Sequence, residues 1–202
     1  MSGHHIGEKI ILASNNAGKV REINQLLASQ RIQVVPQREF DIPDAVEDGL
    51  SFVENAIKKA RHAASLGQLP AIADDSGIEV DALHGAPGIY SARFAGPGAS
   101  DQDNLQKLLD ALQAVPEAER SARFQCLMVY MRHAQDPTPI ICQGTWEGRI
   151  LFEPRGENGF GYDPVFFVPT HDCSSAELPA EVKNHLSHRG QALQKLLLEL
   201  SK

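Results

Sequence analysis

The order of apolar and polar residues switches between two periods along this chain. Residues 9–13 (Lys-Ile-Ile-Leu-Ala) form a short apolar run, the mark of a buried strand. Val20, Ile23, Leu26 and Leu27 then recur at helical spacing, predicting a helix to about residue 30. Residues 32–36 read as a second strand, and 37–50 as a polar loop carrying Asp41, Asp44, Glu47 and Asp48. Ser51 and Glu54 have capping-box spacing, and Phe52, Ala56, Ile57, Ala60 and Ala63 mark the inner face of a helix to about residue 65. A third short strand, 71–73, is predicted to end in Asp74 and Asp75, which places both acids at its carboxyl end.

Gly77, Gly85, Pro87 and Gly88 punctuate the chain into turns. Ser100 or Asp101 then opens a helix to about residue 115, with Leu105, Leu108, Leu109 and Leu112 on one face and Pro116 as its stop. Two long strands, 122–133 and 138–151, are joined by a hairpin-like connection. Trp146 falls in the second and reads as core. Residues 165–168 form a last strand and 176–182 a short helical stretch. Ser187 caps a final helix that buries Leu193, Leu196, Leu197 and Leu200. Early crossovers and a late hairpin predict an α/β protein with a central mixed β-sheet flanked by helices.

With 202 residues, the chain suits a single domain over 9–202. Residues 1–8 are set aside as a flexible N-terminal tail or an added remnant. A formal charge of −7 argues against a duplex nucleic-acid binder, which needs a basic face. No apolar run approaches the ~20 residues of a membrane span, and the N-terminus lacks a signal-peptide pattern. Cys126, Cys142 and Cys173 are scattered and read as reduced thiols, so a cytoplasmic location is expected.

The candidate chemistry lies at element junctions. Adjacent carboxylates at Asp74 and Asp75 repel unless a positive group separates them, and a hard divalent cation such as Mg²⁺ would do so. A simple Asp-Ser-Gly turn is the plainer alternative. Glu47 is placed to project toward the same acids. Ser14, Asn15, Asn16, Ala17, Gly18 and Lys19 lie between strand and helix, which suits either a helix cap or an anion site. Residues 156–164 form a Gly-rich loop with Phe160, Tyr162 and Asp163, and Lys183, His188 and Arg189 cluster near the last helix. A metal, cations and an exposed ring are the parts of a nucleotide site.

These segments resemble the inosine triphosphate pyrophosphatase (Ham1-like) family over about residues 9–200. The matching motifs are Ser14-Asn15-Asn16-Ala17-Gly18-Lys19, Glu47 through Ala56, Ala73 through Ile78, Gly85 through Arg93, Gly159 through Phe166, and Ser187 through Gly190. Asn15 stands where many relatives carry Gly, and Ile78 where they carry Leu. The resemblance implies two lobes with a cleft between them, and hydrolysis of ITP, dITP and XTP to the monophosphate and pyrophosphate. It implies Glu47, Asp74 and Asp75 as Mg²⁺ ligands, and Asp75 as general base. The 14–19 segment would hold the triphosphate, and Ser76 would bond the substrate. Phe160 would stack on the base, with Gly161, Tyr162 and Asp163 beside it. Arg189, His188 or Lys183 would donate to the base's C6 oxygen. Ser91 and Arg93 suit turn packing as well as substrate contact. A homodimer is implied, with small-molecule nucleotides as partners and neither nucleic acid nor membrane. A nucleotide sensor without turnover and a phosphatase releasing orthophosphate are the alternatives.

Overall fold

The computed structural model describes residues 9–27 and 32–202, so the expected tail at 1–8 and the end of the first helix lie outside the described residues. Strands β1 (Lys9–Leu12), β2 (Gln33–Pro36), β3 (Ala71–Val80), β4 (Ser121–Met131), β5 (Ile140–Ile150), β6 (Phe166–Val168) and β7 (Cys173–Ser174) form one mixed sheet in the order β2-β1-β3-β4-β5-β6-β7. Helices α1 (Ala17–Leu27), α2 (Phe52–Gly67), α3 (Asp101–Ala111), α4 (Ala180–Leu186) and α5 (His188–Leu200) accompany it. The first three strands pair in parallel, Ile11 opposite Val35 and Ala71. The later pairs β5–β6 and β6–β7 are antiparallel. β7 has no counterpart in the sequence reading, because two residues are too few to show a period.

The chain separates into two compact units: residues 1–75, 126–144 and 189–202, and residues 76–125 and 145–188. In the first, alternate strand residues feed opposite layers, as the pleat requires. Ile10, Leu12 and Ile72 meet Ile23 and Leu27 of α1 and Leu193 and Leu196 of α5. Ile11, Ala71 and Ala73 meet the alanines of α2, Ala56, Ala60, Ala63 and Ala64. In the second unit, Ile78, Val80, Phe124 and Trp146 pack with Leu105 and Leu108 of α3. Polar residues between them on those strands bond one another, as Gln125 does with Glu79 and Thr145.

One expectation fails here. β3 does not end at Ala73 but runs ten residues, carrying Asp74, Asp75, Ser76 and Gly77 as strand rather than turn. The reason is pairing. β1 stops at Leu12, opposite Ile72, so its parallel ladder with β3 ends just before the acids while β3 continues. Asp74 and Asp75 thus lie at the carboxyl edge of that ladder but inside their own strand.

The β4–β5 connection is held by Asp136, which is buried although it lies in a turn. Its carboxylate accepts from the backbone N–H groups of Arg132 (3.1 Å) and Thr138 (3.0 Å) and pairs with the Arg132 guanidinium at 2.5 Å. The bond from that guanidinium outweighs burial and holds the carboxyl well below the usual range. A depressed folded pKa contributes stability that is present above the unfolded value, about 4, and is lost as pH falls through the folded one. Because the guanidinium is half exposed, solvent screens part of its contribution, while the two backbone donors add to it. Asp136→Asn should cost about 1–2 kcal/mol at pH 7. The gap should narrow below about pH 4, as read by urea unfolding at the two pH values.

Candidate active site

In the first unit, Asn16 caps α1: its side chain accepts from the Lys19 N–H (3.1 Å) and its carbonyl from Val20 (3.0 Å). A helix leaves its first N–H groups without intrahelical acceptors, so Ala17 and Gly18 begin an electropositive turn. The helix cap is thus present, and the same turn carries the positive end of the helix dipole. Asn15 donates to Asp44 (2.7 Å), which also accepts from Gln37 (2.7 Å), so this turn is tied to the acidic loop.

Asp74 is fully buried and lies among cations. Lys19 Nζ is 2.9 Å from its Oδ2, Arg189 Nε is 3.5 Å from the same oxygen, and Arg189 also pairs with Glu22. Burial alone would raise the Asp74 pKa, but Lys19, Arg189 and Lys59 outweigh it and hold the carboxyl far below its usual value. Lys59, from α2, donates to the Asp74 carbonyl at 2.8 Å, with Glu47 Oε1 at 3.3 Å and Asp75 Oδ1 at 3.5 Å. Burial opposes its charge, yet the surrounding acids raise its pKa, so it is an ammonium. Asp75 differs from its neighbour. Burial raises its pKa, Lys59 and Lys19 pull it back, Glu47 and Asp74 push it up, and the balance stays above the usual carboxylate value. A carboxyl raised in this way is a better proton acceptor than a free one.

Among the described residues, no three Asp, Glu, His or Cys side chains converge closely enough to hold a metal by themselves. The expected Glu47, Asp74 and Asp75 set is therefore not a ready-made cage. Glu47 and Asp75 instead share Lys59. The donor chemistry still fits Mg²⁺, which usually takes one or two carboxylates and completes its shell with water and substrate phosphate.

In the second unit, Asp163 organises the Gly-rich loop. Its carboxylate accepts from the Phe160 N–H (2.8 Å), Lys183 Nζ (2.6 Å) and Ser175 Oγ (2.6 Å). A Cβ on Gly159 would fall 2.1 Å from that carboxylate, and its φ of +80° also requires glycine. Lys183 Nζ lies 5.3 Å from the Phe160 ring centroid, and the Gly161 N–H donates to Asp101 (2.9 Å). Phe160 is half buried. Tyr162 is a core residue whose hydroxyl donates to the Ser91 carbonyl (2.7 Å), and burial raises its pKa. Ser91 Oγ accepts from Ile78 N–H and donates to the Gly88 carbonyl, so turn packing is its role. His188 stacks on Phe124 at 4.7 Å and 10°.

The structure thus gathers Lys19, Glu47, Asp74 and Asp75 around α2. Arg189 and Lys183, both expected as donors to the base, pair with Asp74 and Glu22 and with Asp163, respectively. Sequence reasoning missed Lys59, Asn55 and Glu22. Asn55 has a visible signal, a polar residue inside the apolar stripe of α2, and Lys59 stands one turn further on. Glu22 has none, because its partner is 167 residues away.

A sequence model of the Ham1 family matches residues 10–199. The chain is 62% identical over 194 residues to a protein of Vibrio parahaemolyticus named dITP/XTP pyrophosphatase, covering 96% of this chain and 97% of that one. A protein of Vibrio cholerae with the same name is 63% identical over 189 residues, 94% of each chain. Among solved structures, a HAM1 protein from Coxiella burnetii superposes with a TM-score of 0.89 at 52% identity, over 96% of this chain and 98% of that one. The Staphylococcus aureus Ham1 protein gives 0.84 at 40%, over 96% and 100%.

Proposed function

The chain belongs to the Ham1 family, and we propose that it hydrolyses dITP, XTP and ITP to the nucleoside monophosphate and pyrophosphate. The observation that carries the reading is the cluster of Lys19, Lys59, Asp74 and Asp75 beside the capped start of α1. Water attacks the α-phosphorus, its oxygen forms the new P–O bond, and the bond from that phosphorus to the bridging oxygen breaks. Pyrophosphate leaves with those electrons, and Asp75 takes the proton of the attacking water. Lys19, Lys59 and the α1 N-terminus offset the phosphate charge, which increases toward the leaving group in the transition state. Glu47, Asp75 and Asp74 would hold Mg²⁺, which when bound supplies further neutralisation of that charge. Arg189 keeps Asp74 ionised and fixed.

Phe160 stacks on the base, and Arg189, His188 or Lys183 donates to its C6 oxygen. Adenine presents an amino donor at C6 and would meet donor with donor, a mismatch that can discriminate by up to ~10⁴–10⁵-fold. Phe160→Ala should raise KM for dITP by about tenfold or more with kcat little changed, since stacking on an aromatic ring contributes ~1–3 kcal/mol per base. Steady-state kinetics at saturating Mg²⁺ check this. The working form on this reading is a cytoplasmic homodimer acting on free nucleotides, without nucleic acid or membrane. No helix among the described residues is long and apolar enough to cross a membrane.

The test is a panel of dITP, XTP, ITP, GTP and ATP, with Mg²⁺ and with EDTA, and product identification. Pyrophosphate from the first three, slow turnover of the last two and loss of rate in EDTA are expected. Orthophosphate as product would make the protein a phosphatase. Tight dITP binding without turnover would make it a sensor.

A further inference from the structure

We infer that Asn55 is a positioning residue that joins the Glu47-bearing loop to the reactive face of Asp75, a role that rests on the hydrolysis proposed above. Asn55 is fully buried on α2, in the stripe otherwise made of Phe52, Ala56, Ala60, Ala63 and Ala64. A buried amide must find partners for both ends or cost stability. Here each end reaches a different part of the site. The Nδ2 group donates to Asp75 Oδ2 at 3.2 Å, and Oδ1 accepts from the Gly49 N–H at 2.8 Å.

Both contacts have consequences. Asp75 Oδ1 faces Lys59 while Oδ2 faces Asn55, so the two residues, one turn apart on α2, set the plane of the carboxylate. The Gly49 bond lies two residues beyond Glu47, whose own carboxylate also meets Lys59. One helix therefore fixes Asp75 and the loop backbone together. Gly49 is required for the approach, because a Cβ there would lie 2.6 Å from Asn55 Oδ1 and 2.8 Å from Glu54 Cβ. Glu54 reinforces the loop by accepting from the Leu50 N–H at 3.0 Å. The far end of the loop is held through Asp44. Orienting partners of this kind are typically worth 10–100-fold in activity or metal affinity.

Asn55→Asp and Asn55→Ala divide the two bonds. Aspartate keeps an acceptor for Gly49 but removes the donor to Asp75; alanine removes both. The first readout is amide exchange at Gly49 by ¹⁵N NMR, in protein free of metal and nucleotide. The second is kcat and KM for dITP, with the half-saturating Mg²⁺ concentration. Asn55→Asp should keep the slow Gly49 exchange yet lose about 10–100-fold in kcat, with KM within about threefold. Asn55→Ala should lose kcat to a similar extent, exchange Gly49 at least about tenfold faster and need more Mg²⁺. Wild-type kcat in Asn55→Asp, or unchanged Gly49 protection in Asn55→Ala, overturns the proposal. If neither variant folds, the wild-type Gly49 amide decides, since exchange as fast as an open loop's also overturns it. A wild-type chain that releases no pyrophosphate would sink the functional reading instead, and leave the Gly49 bond to be judged by exchange alone.

Discussion

Asp75→Asn is expected to lower kcat for dITP by about 10²–10⁴-fold, the usual contribution of a positioned general base. Dissociation of a non-hydrolysable dITP analogue should change far less, because the amide keeps the shape and the oxygen but cannot take a proton. The same substitution should not weaken the fold. A carboxyl whose folded pKa is raised binds its proton more tightly when folded, so its ionised form costs stability at neutral pH. Removing that charge should leave Tm at or above the wild-type value. Loss of rate with retained stability is the signature to look for, in single-turnover kinetics and thermal melts. A variant with wild-type kcat would exclude Asp75 as the base.

Its neighbour should behave in the opposite way. Asp74 is buried between Lys19 and Arg189, and its ionised form is strongly favoured by folding. Asp74→Asn leaves two largely buried cations without their shared partner, a type of change that costs about 3–5 kcal/mol. At roughly 2–4 °C per kcal/mol for a chain of this size, Tm in EDTA should fall by about 10 °C. With the folded pKa depressed, the contribution is present above about pH 4 and lost as pH falls further, so the two melting curves should converge in acid. Adding Arg189→Gln should cost less in the double variant than alone, because the charge it served is already gone. An unchanged Tm for Asp74→Asn would mean that the cluster is solvated well enough to lose its central acid. Two adjacent aspartates thus differ in kind, one held firmly as a charge and the other with its pKa raised above the usual carboxylate value.

That difference could not be read from the residues themselves. Asp74 and Asp75 are chemically identical, and in a strand they point to opposite faces. What surrounds each face comes from distant parts of the chain: Lys19 from α1 and Arg189 from α5 around the first, Asn55 and Lys59 from α2 around the second. The extent of β3 was hidden for a related reason. Its acids and Gly77 look like a turn locally, yet the strand's continued pairing carries it on to Val80.

By itself the sequence determined the α/β class, most of the helices, the hairpin and the motifs that mark the family, because these depend on local periodicity and spacing. Capping at Ser51 and Ser100, and the apolar faces of α2 and α3, were likewise set within a few residues. Only the tertiary structure decided that Tyr162 is core, that Arg189 serves Asp74 and Glu22, and that Lys59 lies among three acidic residues. The physical reason is that burial and charge pairing join residues far apart in the chain. A side chain's protonation and partners therefore depend on neighbours that only folding supplies.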